Sequence, residues 1–114
     1  MNFKKWEIVL VKFPFTDLKN YKLRPALVIS NESFNNFDNI MLIWIFGNKW
    51  IEKYSFELKQ EYLQNWKMNK KSYLRLQNIF TLHKSLIVKQ IAVLNDDIFK
   101  KVDKKLCDFI YEKC

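Results

Sequence analysis

The chain has 114 residues, with 20 Lys and Arg against 12 Asp and Glu for a formal charge of +8, and it is 49% hydrophobic and 17% aromatic. That balance excludes a disordered segment, and the length is that of one domain, residues 1–114, able to bury a core without metal or disulfide staples. No apolar run approaches the roughly 18 residues of a membrane span, and "MNFKKWEIVL" lacks the apolar stretch and cleavage site of a signal peptide, so the expected location is cytoplasmic.

The first predicted element is "WEIVLVKF", a nearly continuous β-branched run expected to form a strand near residues 6–13, buried on both faces or twisted inside a barrel-like sheet. "PALVIS" gives a second strand near 25–30. Pro14 closes the first and Pro25 opens the second, positions where a missing N–H is tolerated, so the loop from Phe15 to Arg24 leaves the sheet at defined points. "NESFNNFDN" reads as a turn or one short helix. "IMLIWIF" is a third buried strand that ends at Gly47, the one glycine, where a positive φ or a close backbone approach is expected.

"KYSFELK" is read as a fourth strand, and the polar "QEYLQNWKMNKK" carries no assignable element. "SYLRLQNIFTL" and "LIVKQIAVL" are expected to supply two or three more short strands. The clearest helix is "NDDIFKKVDKKLCDFIYEK". Asn95 or Asp96 caps it, acidic residues fill its first turn, and Ile98, Phe99, Val102, Leu106, Phe109 and Ile110 recur at helical spacing opposite a lysine-rich face. Many strands followed by one terminal helix make an α+β domain whose antiparallel sheet is covered by a helix. There is no internal repeat or low-complexity linker. Cys107 and Cys114 are expected to be free thiols, without a second Cys or a His at metal-ligand spacing, so no metal site is assigned.

The excess of positive charge favours polyanion partners, nucleic acid first, with a surface kept lysine-rich for solubility as the alternative that most of the scattered lysines fit. Only two of the cations are arginines, Arg24 and Arg75; with Lys22 they are the informative ones.

The segment "WEIVLVKFPFTDLKNYKLRPALVIS" resembles the N-terminal signature of the MazF/PemK-like toxins of type II toxin-antitoxin systems: a strand, a phosphate-contacting loop, and an Arg-Pro pair before the second strand. "SYLRLQNIFTLHKSLIVKQIAVLNDDIFKKV" is similar to that family's C-terminal pattern of an exposed arginine on a strand, an Ile-x-Thr element and a terminal helix. Residues 36–70 match poorly. The resemblance implies a small SH3-like, partly closed antiparallel β-barrel with a C-terminal α-helix, and a homodimer. It also implies a metal-independent endoribonuclease with no cofactor that cuts single-stranded RNA near the dimer interface, held in check by a cognate acidic antitoxin whose disordered tail occupies the same groove. By position, Arg24 and Arg75 match the family's catalytic arginines. Two features depart from the pattern. The end of the third strand, "IWIFGNK", has no Ser or Thr where the family often places a hydroxyl. The loop before Arg-Pro has no His, and Gln77 stands where some members carry an acid.

RNA cleavage through the 2′-hydroxyl needs a proton acceptor, a cation on the pentavalent phosphorane, and a donor to the leaving 5′-oxygen. Arg24 suits the second role and can serve the third through a hydrogen bond; its structural alternative is an ion pair with Asp17. Strand alternation places Tyr73, Arg75 and Gln77 on one face, open to phosphate and base contacts or simply solvated. Lys22 reads as a phosphate contact and Thr16 as a loop hydrogen bonder, with an incidental surface role as the alternative for each, and Asp17 reads as an orienting partner rather than a base, since an exposed Asp titrates near pH 4. His83, the single histidine, reads as a surface turn residue. Trp44, Phe46 and Trp50 are candidates for base stacking, with core or dimer interface as the alternative. The leading expectation is an endoribonuclease toxin. Its rivals are a non-catalytic member of the same fold that binds an antitoxin, a protein target or nucleic acid, and a basic SH3-like module with no toxin role.

Overall fold

Apolar runs without polar alternation arise here because one sheet is buried on both of its faces. The computed structural model describes residues 2–13 and 21–112. Among these residues seven strands are formed: β1 (Glu7–Phe13), β2 (Lys22–Val28), β3 (Asn39–Phe46), β4 (Ser55–Leu58), β5 (Leu63–Gln64), β6 (Ser72–His83) and β7 (Ile87–Leu94). They pair in the order β4-β6-β3-β2-β1-β7-β5, every pair antiparallel, and curl into a partly closed barrel followed by a C-terminal helix. A single turn of helix, α1 (Glu32–Asn35), links β2 to β3, and the long helix α2 (Asp96–Tyr111) follows β7.

Alternate residues of each strand feed two different cores. Ile8, Leu27, Ile43, Leu74 and Leu94 point to the face that α2 covers with Ile98, Val102 and Leu106. Val9, Val11, Ala26, Val28, Leu42 and Leu82 point the other way, where Phe3 and the rings of Trp44 and Phe80 lie over them. The helix also docks through aromatics, Phe99 stacked on Trp6 with centroids 5.1 Å apart and Phe109 edge-on to Tyr54 at 4.9 Å. Ile110, expected on the apolar face, is instead 55% exposed. Asn95 occupies the N-cap position of α2, but its side chain makes no capping bond. It donates to the Glu61 carbonyl at 2.8 Å and accepts from Gln64 Nε2 at 3.2 Å, tying the helix start to the segment before β5. Asp96 and Asp97 supply the favourable charge at that end of the helix dipole.

Four expectations need correction. β2 begins at Lys22, so Pro25 lies inside the strand, opposite Leu10, rather than at its start. β6, from Ser72 to His83, is a strand of 12 residues, longer than the short strands expected there. Gly47 has no positive φ, and a Cβ there would meet only the end of the Lys70 side chain at 3.9 Å; the left-handed conformation falls on Trp6 (φ 76°), Asn65 and Glu112. Cys107 is disulfide-bonded, not a free thiol.

Asn35, 2% exposed, shows how the barrel is closed at α1. Its Nδ2 donates to the carbonyls of Phe3 at 3.0 Å and Ser30 at 2.9 Å, and its Oδ1 accepts from the Ser30 hydroxyl. Asn35→Ala would leave the Phe3 carbonyl buried without a partner. The variant is expected to lose about 1–3 kcal/mol, read as a lower urea midpoint with unchanged slope. A wild-type midpoint would show that these bonds contribute nothing.

Candidate functional site

The β2–β3 ladder runs from Val28 opposite Leu42 to Ala26 opposite Trp44 and stops there, next to Pro25, which has no N–H to extend it. Beyond that rung β2 stays paired only with β1 back to Lys22, while β3 continues to Phe46 against β6. A cavity of about 530 Å³ fills the gap between the parting strand ends, with Arg24 on one side and Trp44 and Phe46 on the other. Trp66, Met68 and Lys70, in the segment before β6, form a further wall. One side chain fastens that segment: Gln60 donates from Nε2 to the Trp66 carbonyl at 2.6 Å and accepts from the Met68 amide at 2.8 Å.

Arg24 shares its face of β2 with Ala26 and is exposed, and its guanidinium makes no hydrogen bond or ion pair with any described residue. It is therefore a cation held at the mouth of an aromatic cavity without a protein counter-charge among the described residues. Trp44 stacks on Phe80 with centroids 4.2 Å apart and takes Phe13 edge-on at 5.3 Å, so the wall facing Arg24 is part of a packed aromatic cluster.

The chain matches the family model of PemK-like, MazF-like toxins of type II toxin-antitoxin systems over residues 4–110. It belongs to that family. Solved structures of similar fold include an endoribonuclease in complex with its cognate antitoxin from a mycobacterial species, at 12% identity and TM-score 0.74 over 95% of this chain and 94% of that one. MazE-MazF from Deinococcus radiodurans aligns at 17% identity and TM-score 0.75 over 96% and 97% of the two chains. The Mycobacterium tuberculosis toxin MazF-mt6 aligns at 15% identity and TM-score 0.67 over 91% and 95%. No curated protein sequence matches the chain.

In this PemK/MazF-like fold the anticipated site residues separate. Arg24 lines the cavity, and Lys22 is exposed two residues before it, opposite Phe13. Thr16 and Asp17 lie outside the described residues. Arg75 is half-buried in β6, and does not line the cavity itself; its guanidinium carbon sits 3.8 Å from the centroid of the Phe46 ring, which does. Tyr73 is 9% exposed and stands opposite Phe46. Gln77 lies in an irregular stretch where, on the β3 side, residues 75–78 of β6 have only Trp44 facing them, and both polar atoms of its amide are buried without a hydrogen-bond partner.

His83 begins the tight turn after β6, with Nδ1 accepting from the Ser85 amide at 3.1 Å, and it is exposed, far along β6 from the cavity. Trp50 is 70% exposed. Its neighbour Lys49 bonds Glu52 at 3.0 Å; that hydrogen bond and the attraction of the carboxylate raise its pKa above the ordinary lysine value. At the end of β3 the wall is Phe46 and Gly47, and the hydroxyl found among the described wall residues is that of Ser72. The walls from Trp66, Met68 and Lys70 had no signal in the sequence except the pairing of large apolar with basic residues inside a polar stretch. Among the described residues no group of His, Cys, Asp and Glu comes together as a metal site, and no helix is long and apolar enough to cross a membrane.

Proposed function

We propose that this toxin is an endoribonuclease that cuts single-stranded RNA at the Arg24 cavity without a metal ion. The observation that carries the reading is an arginine on the wall of an aromatic cavity, its guanidinium without a counter-charge among the described residues, in a chain of net charge +8. In the reaction the ribose 2′-oxygen attacks the adjacent phosphorus, the bond to the 5′-oxygen breaks, and the products are a cyclic phosphate and a 5′-hydroxyl. Negative charge grows on the two non-bridging oxygens as the phosphorane forms. A planar guanidinium meets both with parallel hydrogen bonds, and Lys70, on a further wall of the same cavity, adds a second positive charge. Unpaired bases bring flat apolar faces to Phe46 and Trp66, whereas bases in a duplex have theirs covered by stacking.

Purified protein is expected to cut a long single-stranded RNA in EDTA and to leave a duplex of the same sequence intact. Cleavage that appears only when Mg²⁺ is restored would sink the reading. The partner that restrains it is a cognate acidic antitoxin, which competes with RNA for the Arg24 face, and the working unit is a homodimer. Titrating the antitoxin should displace bound RNA, and light scattering should give twice the chain mass at micromolar concentration; tight antitoxin binding that leaves RNA affinity unchanged, or a monomer, would remove these parts.

One observation favours a second reading, a non-catalytic member of the fold that binds an antitoxin, a protein target or nucleic acid: no described wall residue carries a carboxylate or imidazole to accept the 2′-hydroxyl proton. Tight RNA binding without any cleavage would select it.

A further inference from the structure

Arg75 has its hydrogen-bonding edge engaged by Asn48. Its Nε donates to the backbone carbonyl of Asn48 at 3.2 Å, an Nη donates to the Asn48 side-chain oxygen, and the guanidinium lies over the ring of Phe46. The side-on edge with which an arginine grips a phosphate is thus already occupied. Asn48 belongs to the turn between β3 and β4, whose near end carries the cavity walls Phe46 and Gly47 and whose exposed tip is Trp50. The far end of that turn is fastened by the residue paired with Arg75 across the sheet, Ser55, whose hydroxyl donates to the Ile51 carbonyl at 2.8 Å. One cross-strand pair therefore holds both ends of the turn.

We propose that Arg75 is a positioning residue rather than a phosphate contact: with Asn48 it clamps the 47–50 turn and fixes the Phe46 wall opposite Arg24, so that it acts on RNA through the shape of the cavity. The inference rests on the RNA-cleaving reading for its effect on activity and on the clamp alone for its effect on the turn. A lysine retains the charge but has neither the planar face nor the two-bond edge, so Arg75→Lys must fail wherever Arg75→Ala fails.

Three variants, Arg75→Ala, Arg75→Lys and the exposed-site change Asn48→Ala, separate the possibilities, with a melting curve checking that each folds. In ¹⁵N relaxation, wild-type backbone order parameters over 47–50 are expected near the rigid value of about 0.85 and should fall below about 0.6 in all three variants. Cleavage of a long single-stranded RNA should fall by up to about 10²-fold in Arg75→Ala, as a wall displaced by an ångström allows, and as far in Arg75→Lys. The salt slope of RNA binding should stay at the wild-type value, whereas a lost phosphate contact on a single strand lowers it by about 0.7. A turn already mobile in the wild type, a turn unaffected by Arg75→Ala, activity restored by Arg75→Lys, or a reduced salt slope would each overturn the clamp. Should the wild type cut no RNA, the proposed function fails by itself, and the order parameters still decide whether Arg75 holds the turn.

Discussion

Arg24→Ala is expected to lower RNA cleavage by about 10² to 10³, the loss typical of removing one electrostatic stabiliser of a transition state. Its melting temperature should stay close to wild type. The separation follows from where Arg24 sits: it is exposed at the rim of the cavity, and its guanidinium has no described partner that would be left unsatisfied. Surface positions of that kind usually change stability by no more than about 0.5 kcal/mol. Arg24→Lys should recover part of the rate, because an ammonium neutralises the phosphorane at a point but cannot meet two oxygens at once. Single-turnover cleavage in EDTA, with the melting curve measured on the same preparation, checks both halves. Wild-type activity in Arg24→Ala would remove this residue from the chemistry, and a large drop in melting temperature would make it a structural residue.

The fold was more legible than the site. The apolar runs of β1, β2 and β3 could be assigned because a sheet buried on both faces writes its strands as unbroken hydrophobic stretches, and α2 because Ile98, Val102 and Leu106 mark one helical face. Local rules misled where tertiary contacts overrode them. Pro25 suggested a strand start, yet its N–H is missing only from the side where the β2–β3 ladder ends, so the strand runs through it. Gly47 suggested the left-handed turn that Trp6 in fact adopts. Trp6 is held there by its amide donating to the Val28 carbonyl at 2.8 Å, its carbonyl accepting from Leu94 at 3.0 Å, and its ring against Phe99. The order of residues around Arg24 was readable because the Arg-Pro pair is local. The cavity was not, since its third wall comes from residues some 40 positions later and is held there by Gln60, whose bonds no periodicity encodes. The partnership of Arg75 with Asn48 was invisible for the same reason: the two residues are 27 positions apart.

Trp44→Ala is expected to destabilise the protein by about 3 kcal/mol, the lower end of the cost of truncating a large packed aromatic, because its ring is half-buried. That is a large share of the roughly 5–15 kcal/mol that holds such a domain together, and it should lower the melting temperature by about 10–20 °C. The ring is stacked on Phe80 and met edge-on by Phe13, both contacts within the range where aromatic pairs add to simple burial. Trp44 is also the last β3 residue paired with β2, opposite Ala26, at the point where the strands part and the cavity begins. Its loss should therefore loosen the wall facing Arg24 together with the second core, and RNA cleavage should fall even at temperatures where the variant is folded. Trp44→Phe, which keeps a ring against Phe80, should recover most of the stability and much of the activity. Chemical denaturation of both variants, with cleavage measured well below the transition, tests the two effects separately. A wild-type denaturation midpoint in Trp44→Ala, accompanied by lost RNA binding, would reverse the assignment: the indole would then be a platform for a base rather than part of the wall that positions Arg24's partner surface.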